Sequence, residues 1–232
     1  VNPYIEWEQY MESAKITSLQ FIVSNTTEAG IKYSPSDKFE DQPALEFPAK
    51  LTQWLYNRYN FFNGDSEKGC YFLPCELIED NGLELKRCIL QYASLWNLGE
   101  AFTEWIENHN SFYNTLVDRI VSGYPKTRAH DIQKDFGFQD NLLVASEYYL
   151  SWIIEGPDKI QDDFPVMKTN LNIKFVRELS PYRNIKVRIL NGAHTALVPV
   201  AYLCGIDLVR TSLENPAISS FLKKVVHEDI IP

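Results

Sequence analysis

No Gly-x-Gly pair occurs anywhere in the chain, whose ten glycines are scattered singly through 232 residues. The glycine-rich loop that brings backbone N–H groups onto a dinucleotide's pyrophosphate needs such a pair, so that fingerprint is absent. Cysteine is scarce as well. Cys70, Cys75, Cys88 and Cys204 stand alone in apolar surroundings. They lack the paired spacing of a structural zinc site and the density of a disulfide framework, which points to buried thiols in a reducing compartment. No apolar run is long enough to span a bilayer, and no leader pattern is present. Positive charge is in deficit, with 22 Lys and Arg against 31 Asp and Glu for a net charge of −9. The nearest thing to a basic cluster is the short KTRAH at 126–130, which argues against nonspecific binding to nucleic acid. The expectation is a cytoplasmic protein with neither a membrane nor a nucleic-acid partner. An initiating methionine is also missing: the sequence opens on Val1-Asn2-Pro3 and stops at Ile231-Pro232. That is the expected look of a piece of a longer protein.

What is present suits a globular core: 45% hydrophobic residues with 23% charged, in a length that makes one large domain or two smaller ones. Residues 4–17 suit a short helix. LQFIVSNTTEAGI starts as a strand and ends in a polar turn, Ser24 to Thr27. Such a turn at the carboxyl edge of an open α/β sheet is where ligands bind, although the same residues are also ordinary turn formers. A proline-broken loop at 34–48 precedes a helix over 49–60. CYFLPCELIED reads as a second strand that Pro74 ends or bulges. A long helical pattern follows from Asn81-Gly82, with a break near Gly99. SFYNTLVDRIVSGYP carries Asp118 and Arg119, and 142–156 (LLVASEYYLSWIIEG) reads as one strongly buried strand with Glu147 in its middle. After a polar linker at 157–172 and the strand-like IKFVREL, the pattern turns helical from Ser180-Pro181. The chain is therefore expected to be α/β over 1–180 and all-α over 181–232, with a ligand cleft at the junction.

The helix that opens the second part holds Lys186, Asn191 and His194 in an otherwise apolar run from Ile185 to Cys204, which predicts burial on most of its surface. At ~100° per residue, Asn191 lies ~140° round from Lys186 and His194 ~80° round, so the three polar tips converge on one cleft. Desolvation disfavours an ammonium ion, which is what lets a buried lysine serve as a general base near neutrality. In such a cleft Asn191 is a donor for a developing alkoxide and His194 an orienting or relay group. The alternative is a lysine that snorkels to water while Asn and His satisfy local backbone groups.

Four separated stretches resemble the mannitol dehydrogenase (polyol-specific long-chain dehydrogenase) family. SPYRNIKVRILNGAHTAL keeps the K-x4-N-x2-H spacing of the family's signature helix. LVDRI at 116–120 resembles its V-D-R-I core, with departing flanks. NTTEAG at 25–30 matches its turn near the nicotinamide in Thr27, Glu28 and Gly30. CELIEDNG at 75–82 stands where mannitol dehydrogenases carry S-C-D-N-x-x-x-N-G: Glu76-Leu77 replace the D-N pair and Asn81-Gly82 are kept. That form, with SNTTEAG and VASEYYLSWIIEGP, resembles the tagaturonate reductase branch.

The resemblance implies an NAD-dependent, zinc-independent hydride transfer between D-tagaturonate and D-altronate in hexuronate breakdown. The fold it implies is an incomplete Rossmann-type domain over 1–180, its first βαβ unit lying before Val1, followed by the start of a helical substrate-binding domain. Lys186 is then the acid/base, Asn191 and Asn81 hold the ketone oxygen, and His194 bonds the substrate or the lysine's surroundings. Asn25, Thr26, Thr27, Glu28 and Asp118 fall beside the cofactor, though for Asp118 a structural pair with Arg119 is an equal alternative. A uronate calls for an arginine in the pocket. Arg183 and Arg188 are near the helix, but Arg188 has the same place in the mannitol enzymes and cannot explain acid specificity. Fructuronate reductase, mannitol 2-dehydrogenase and a noncatalytic fragment without cofactor binding are the competing readings.

Overall fold

The computed structural model describes residues 1–231, which divide into two compact units, Val1–Arg177 and Glu178 onward. In the first unit the helices are α1 (Trp7–Ser13), α2 (Phe47–Phe61), α3 (Asn81–Leu95), α4 (Glu100–His109), α5 (Ala129–Phe136) and α6 (Ile160–Asp163). Its strands are β1 (Phe21–Ser24), β2 (Tyr71–Pro74), β3 (Ser111–Phe112), β4 (Asn114–Asp118), β5 (Val121–Gly123), β6 (Ala145–Ser146), β7 (Ser151–Glu155) and β8 (Ile173–Val176).

β1, β2 and β3 form a parallel sheet in that order, with Phe21 opposite Tyr71 and Tyr71 opposite Ser111. Past Tyr113 the same extended run becomes β4, which pairs antiparallel with β7, and β7 pairs parallel with β8. Every residue of β2 is buried, as a central parallel strand covered on both faces requires. α2, α3 and α4 supply the cover: Leu51, Trp54, Leu55, Leu85, Ile89, Phe102 and Ile106 pack with Phe72 of β2 in one core. α2 begins on Phe47-Pro48, where the missing N–H of proline costs nothing. The predicted break near Gly99 is present, the two helices being separated by 96–99 with Gly99 at φ +96°. Pro74 ends its strand, as expected from its missing donor.

A buried cation holds the amino-terminal side of this unit together. Arg58 is 1% exposed and its guanidinium donates to the carbonyls of Lys68 (2.7 Å), Ala14 (2.7 Å), Ile16 (3.1 Å) and Leu19 (2.9 Å). It also lies over the rings of Trp54 and Phe62. α2 is thereby tied to the segments that lead into both β1 and β2.

One element departs from its reading. Only Ser151–Glu155 of the expected strand over 142–156 is a long strand, and Leu142, Val144, Tyr148 and Tyr149 are exposed. The apolar run crosses the returning arm of a two-stranded hairpin, β5 with β6, and then a connection, so no single sheet covers it. Glu147 is correspondingly not a core acid: it exchanges backbone and side-chain hydrogen bonds with Ile120 at the base of that hairpin.

The second unit is helical: α7 (Ser180–Asn184), a π-helical segment Ile185–Asn191, α8 (Gly192–Leu203), α9 (Val209–Glu214), α10 (Pro216–Lys224) and a second π-helical segment Val225–Ile230. Leu197, Ala201 and Ile218 form its small core, with Ile206 and Leu222 against them. Among the described residues no helix is long and apolar enough to cross a membrane.

Candidate active site

The carboxyl edge of the parallel sheet collects most of the first unit's candidate residues. β1 and β2 end level, Ser24 opposite Pro74, and the turn Asn25–Glu28 stands exposed beyond them. β3 ends at Phe112, opposite Phe72, and the chain continues as β4 in the neighbouring sheet. Asp118 closes β4, half-buried, opposite Ser151. Its neighbour Arg119 is exposed and donates from Nε and Nη2 to the carbonyl of Glu147 (3.1 and 3.0 Å), which fastens the hairpin base.

The turn is fastened at one residue. Glu76, 2% exposed, accepts from the Ser24 hydroxyl (3.0 Å), the Thr26 N–H (3.0 Å) and the Thr26 hydroxyl (2.8 Å). At Gly30 the turn folds back so tightly that a Cβ would lie 1.9 Å from Thr26 Oγ1, so no side chain is admitted there. Glu76 was legible in the sequence only as the residue replacing an aspartate; its pairing with Ser24 and Thr26 spans about fifty residues and leaves no local signal.

Asn81 departs from its expected part. It is 1% exposed, and Nδ2 lies within 3.0 Å of the carbonyls of Pro74, Glu76 and Thr115. Its Oδ1 accepts from the Thr115 N–H at 2.9 Å. The amide is committed to the main chain and ties β2, the loop after it and β4 together, which makes it a positioning group here and not a donor aimed at a substrate oxygen. Beside it Asn114 accepts from the N–H groups of Gly82 (3.1 Å) and Leu83 (3.3 Å), capping α3 from a neighbouring strand. Gly82 is required for that approach, since a Cβ would sit 2.3 Å from the Tyr113 carbonyl oxygen. Asn81→Ala is expected to cost about 2–3 kcal/mol of stability, because four backbone groups lose one shared partner. Urea unfolding reads it; lost turnover with an unchanged midpoint would restore a chemical role for the amide.

In the second unit, Lys186 and Asn191 both belong to the π-helical segment, where the Gly192 N–H reaches the Val187 carbonyl five residues back. Ile185, Asn191 and Gly192 keep right-handed helical backbone angles (φ −59°, −69° and −61°), so Lys186, Asn191 and His194 follow one another along one continuous helical run. His194 Nδ1 lies 3.0 Å from the Leu190 carbonyl. A carbonyl only accepts, so Nδ1 carries the proton and Nε2 of the neutral ring is the acceptor.

The expected burial of this helix does not hold. Ile185, Val187, Leu190, Val198, Tyr202 and Leu203 are exposed, and only Leu197 and Ala201 are buried along α8. Lys186 is half-buried. The apolar run surrounds the helix, whereas α9, α10 and the last π segment cover a single stripe of it.

The exposed turn stands at the carboxyl edge of a parallel sheet, the edge at which open α/β sheets bind ligands. A phosphate cradle of Gly-x-Gly type is not among this chain's residues. Among the described residues no three His, Cys, Asp or Glu side chains group as a metal site would.

Comparison with known proteins gives this arrangement its context. The family model for the mannitol dehydrogenase Rossmann domain matches residues 5–168, and that for the mannitol dehydrogenase C-terminal domain matches 178–232. The chain belongs to the mannitol dehydrogenase family. Altronate oxidoreductases are among its curated relatives: that of Bacillus subtilis (strain 168) is 48% identical over 232 residues, and that of Yersinia enterocolitica (serotype O:8) 45%. Both alignments cover 100% of this chain and 48% of the relative, so the chain spans about half the length of the curated relatives it matches. Two solved structures share the fold. Pseudomonas fluorescens mannitol 2-dehydrogenase, in ternary complex with NAD and D-mannitol, superposes with a TM-score of 0.69 at 18% identity, covering 100% of this chain and 48% of that one. A substrate-free D-sorbitol dehydrogenase gives 0.72 at 19%, covering 99% and 48%. A Rossmann-type α/β unit followed by helices, expected for this family from the sequence, is the fold observed.

Proposed function

We propose that the intact protein is an NAD-dependent oxidoreductase interconverting D-tagaturonate and D-altronate, without zinc. The observation that carries this reading is the 48% identity, along the whole chain, to a protein named altronate oxidoreductase. The succession of Lys186, Asn191 and His194 along one continuous helical run supports it. Bound nicotinamide supplies or accepts the hydride; this chain's own residues manage the oxygen and the proton. In the reductive direction the Lys186 ammonium donates a proton to the ketone oxygen as it becomes an alkoxide, and in the oxidative direction the amine takes that proton back. The Asn191 amide donates a hydrogen bond to the same oxygen, and His194 Nε2 accepts from a substrate hydroxyl. Asn25, Thr26, Thr27 and Glu28 border the nicotinamide, with Asp118, at the end of β4, beside them. Asn81 sets the position of the loop after β2.

Product analysis tests this directly. The intact protein incubated with NADH and tagaturonate is expected to form one altronate for each NADH consumed. NADH consumption without altronate, or no consumption, contradicts the reading.

A further inference from the structure

Glu76 is a buried acid that none of the roles above uses. Its carboxylate holds three donors at once, from Ser24 and from both polar groups of Thr26. Its backbone is itself fixed: the Glu76 carbonyl accepts from Asn81 Nδ2 at 2.9 Å, and the preceding Cys75 N–H donates to the Ser24 carbonyl at 2.7 Å. A continuous line of hydrogen bonds thus runs from Thr115 on β4 through Asn81 and Glu76 to Thr26. The turn it holds, Asn25 to Glu28, is exposed and lies past the end of its strand.

We propose that Glu76 is the positioning residue for cofactor binding: by clamping Thr26 it holds the Asn25–Glu28 turn in the form that receives the nicotinamide. The proposal rests on the assignment of that turn to the cofactor. A carboxylate suits the task because it accepts from three donors without offering one in conflict. Without it the turn must be ordered at the moment of binding, and that cost falls on cofactor affinity and not on the chemical step.

The test uses the intact protein. Glu76→Ala is expected to raise the NADH Kd, read by nucleotide fluorescence without substrate, by ~10-fold or more, with the KM for NADH rising in parallel. kcat at saturating NADH should fall by less than ~3-fold, since the lysine is untouched. Glu76→Gln should restore most of the affinity, because its Oε1 keeps both Thr26 bonds while the Ser24 hydroxyl turns to accept from Nε2. A residue that merely supports the fold would lower the active fraction and leave Kd unchanged, and that result overturns the proposal. If Glu76→Ala does not fold, Ser24→Ala, which removes one of the three donors to the carboxylate, is read through the NADH Kd in the same way. A wild-type protein that binds NADH but reduces no tagaturonate fails the substrate reading alone. Equal Kd in wild type and variant fails this proposal alone, and a wild type that does not bind NADH overturns both.

Discussion

Lys186→Ala is expected to remove nearly all turnover, by a factor of about 10²–10⁴, the usual contribution of general acid–base catalysis. That range corresponds to roughly 3–5 kcal/mol in the barrier. NADH affinity should stay near wild type, because the turn proposed to border the cofactor follows β1 and is not part of this helix. Lys186→Arg separates charge from proton transfer. Guanidinium keeps the positive charge but does not give up its proton near neutrality, so it too is expected to be inactive if the lysine works as an acid and base. Retained activity in the arginine variant would reduce Lys186 to an electrostatic group, and wild-type rates in the alanine variant would end the acid–base account. Stability should hardly change, since Lys186 is only half-buried.

The largest effect on stability is expected at Arg58. Arg58→Ala leaves the carbonyls of Ala14, Ile16, Leu19 and Lys68 without their donor and opens the space between Trp54 and Phe62. Each abandoned carbonyl carries a desolvation penalty, partly relieved by entering water, so the loss should be about 3–5 kcal/mol. Arg58→Lys should recover only part of it, because one ammonium on a flexible stem does not reproduce a planar fork. Denaturant unfolding checks this through the midpoint at constant slope; a loss below ~1 kcal/mol would show that the bonds are replaced by water.

What was legible and what was not follows from the range of the interactions. β1, β2 and the break at Gly99 announce themselves through contiguous apolar runs, proline and glycine, which act locally. The polar turn after β1 was visible for the same reason. The fastening of that turn was not, because Glu76 and Thr26 meet only through the register of two parallel strands. The main-chain commitment of Asn81, which the family resemblance implies as a donor to the ketone oxygen, was hidden for a similar reason, since it depends on Thr115, 34 residues away. The apolar content of the Lys186 helix suggests burial all round, whereas only the stripe with Leu197 and Ala201 is covered, because how many neighbours a helix packs against is not written in its own sequence.

The central claim is most directly tested by comparing kcat/KM of the intact protein for tagaturonate, fructuronate and fructose, each with NADH. The account predicts the highest value for tagaturonate, and a higher value for fructuronate or fructose would contradict it.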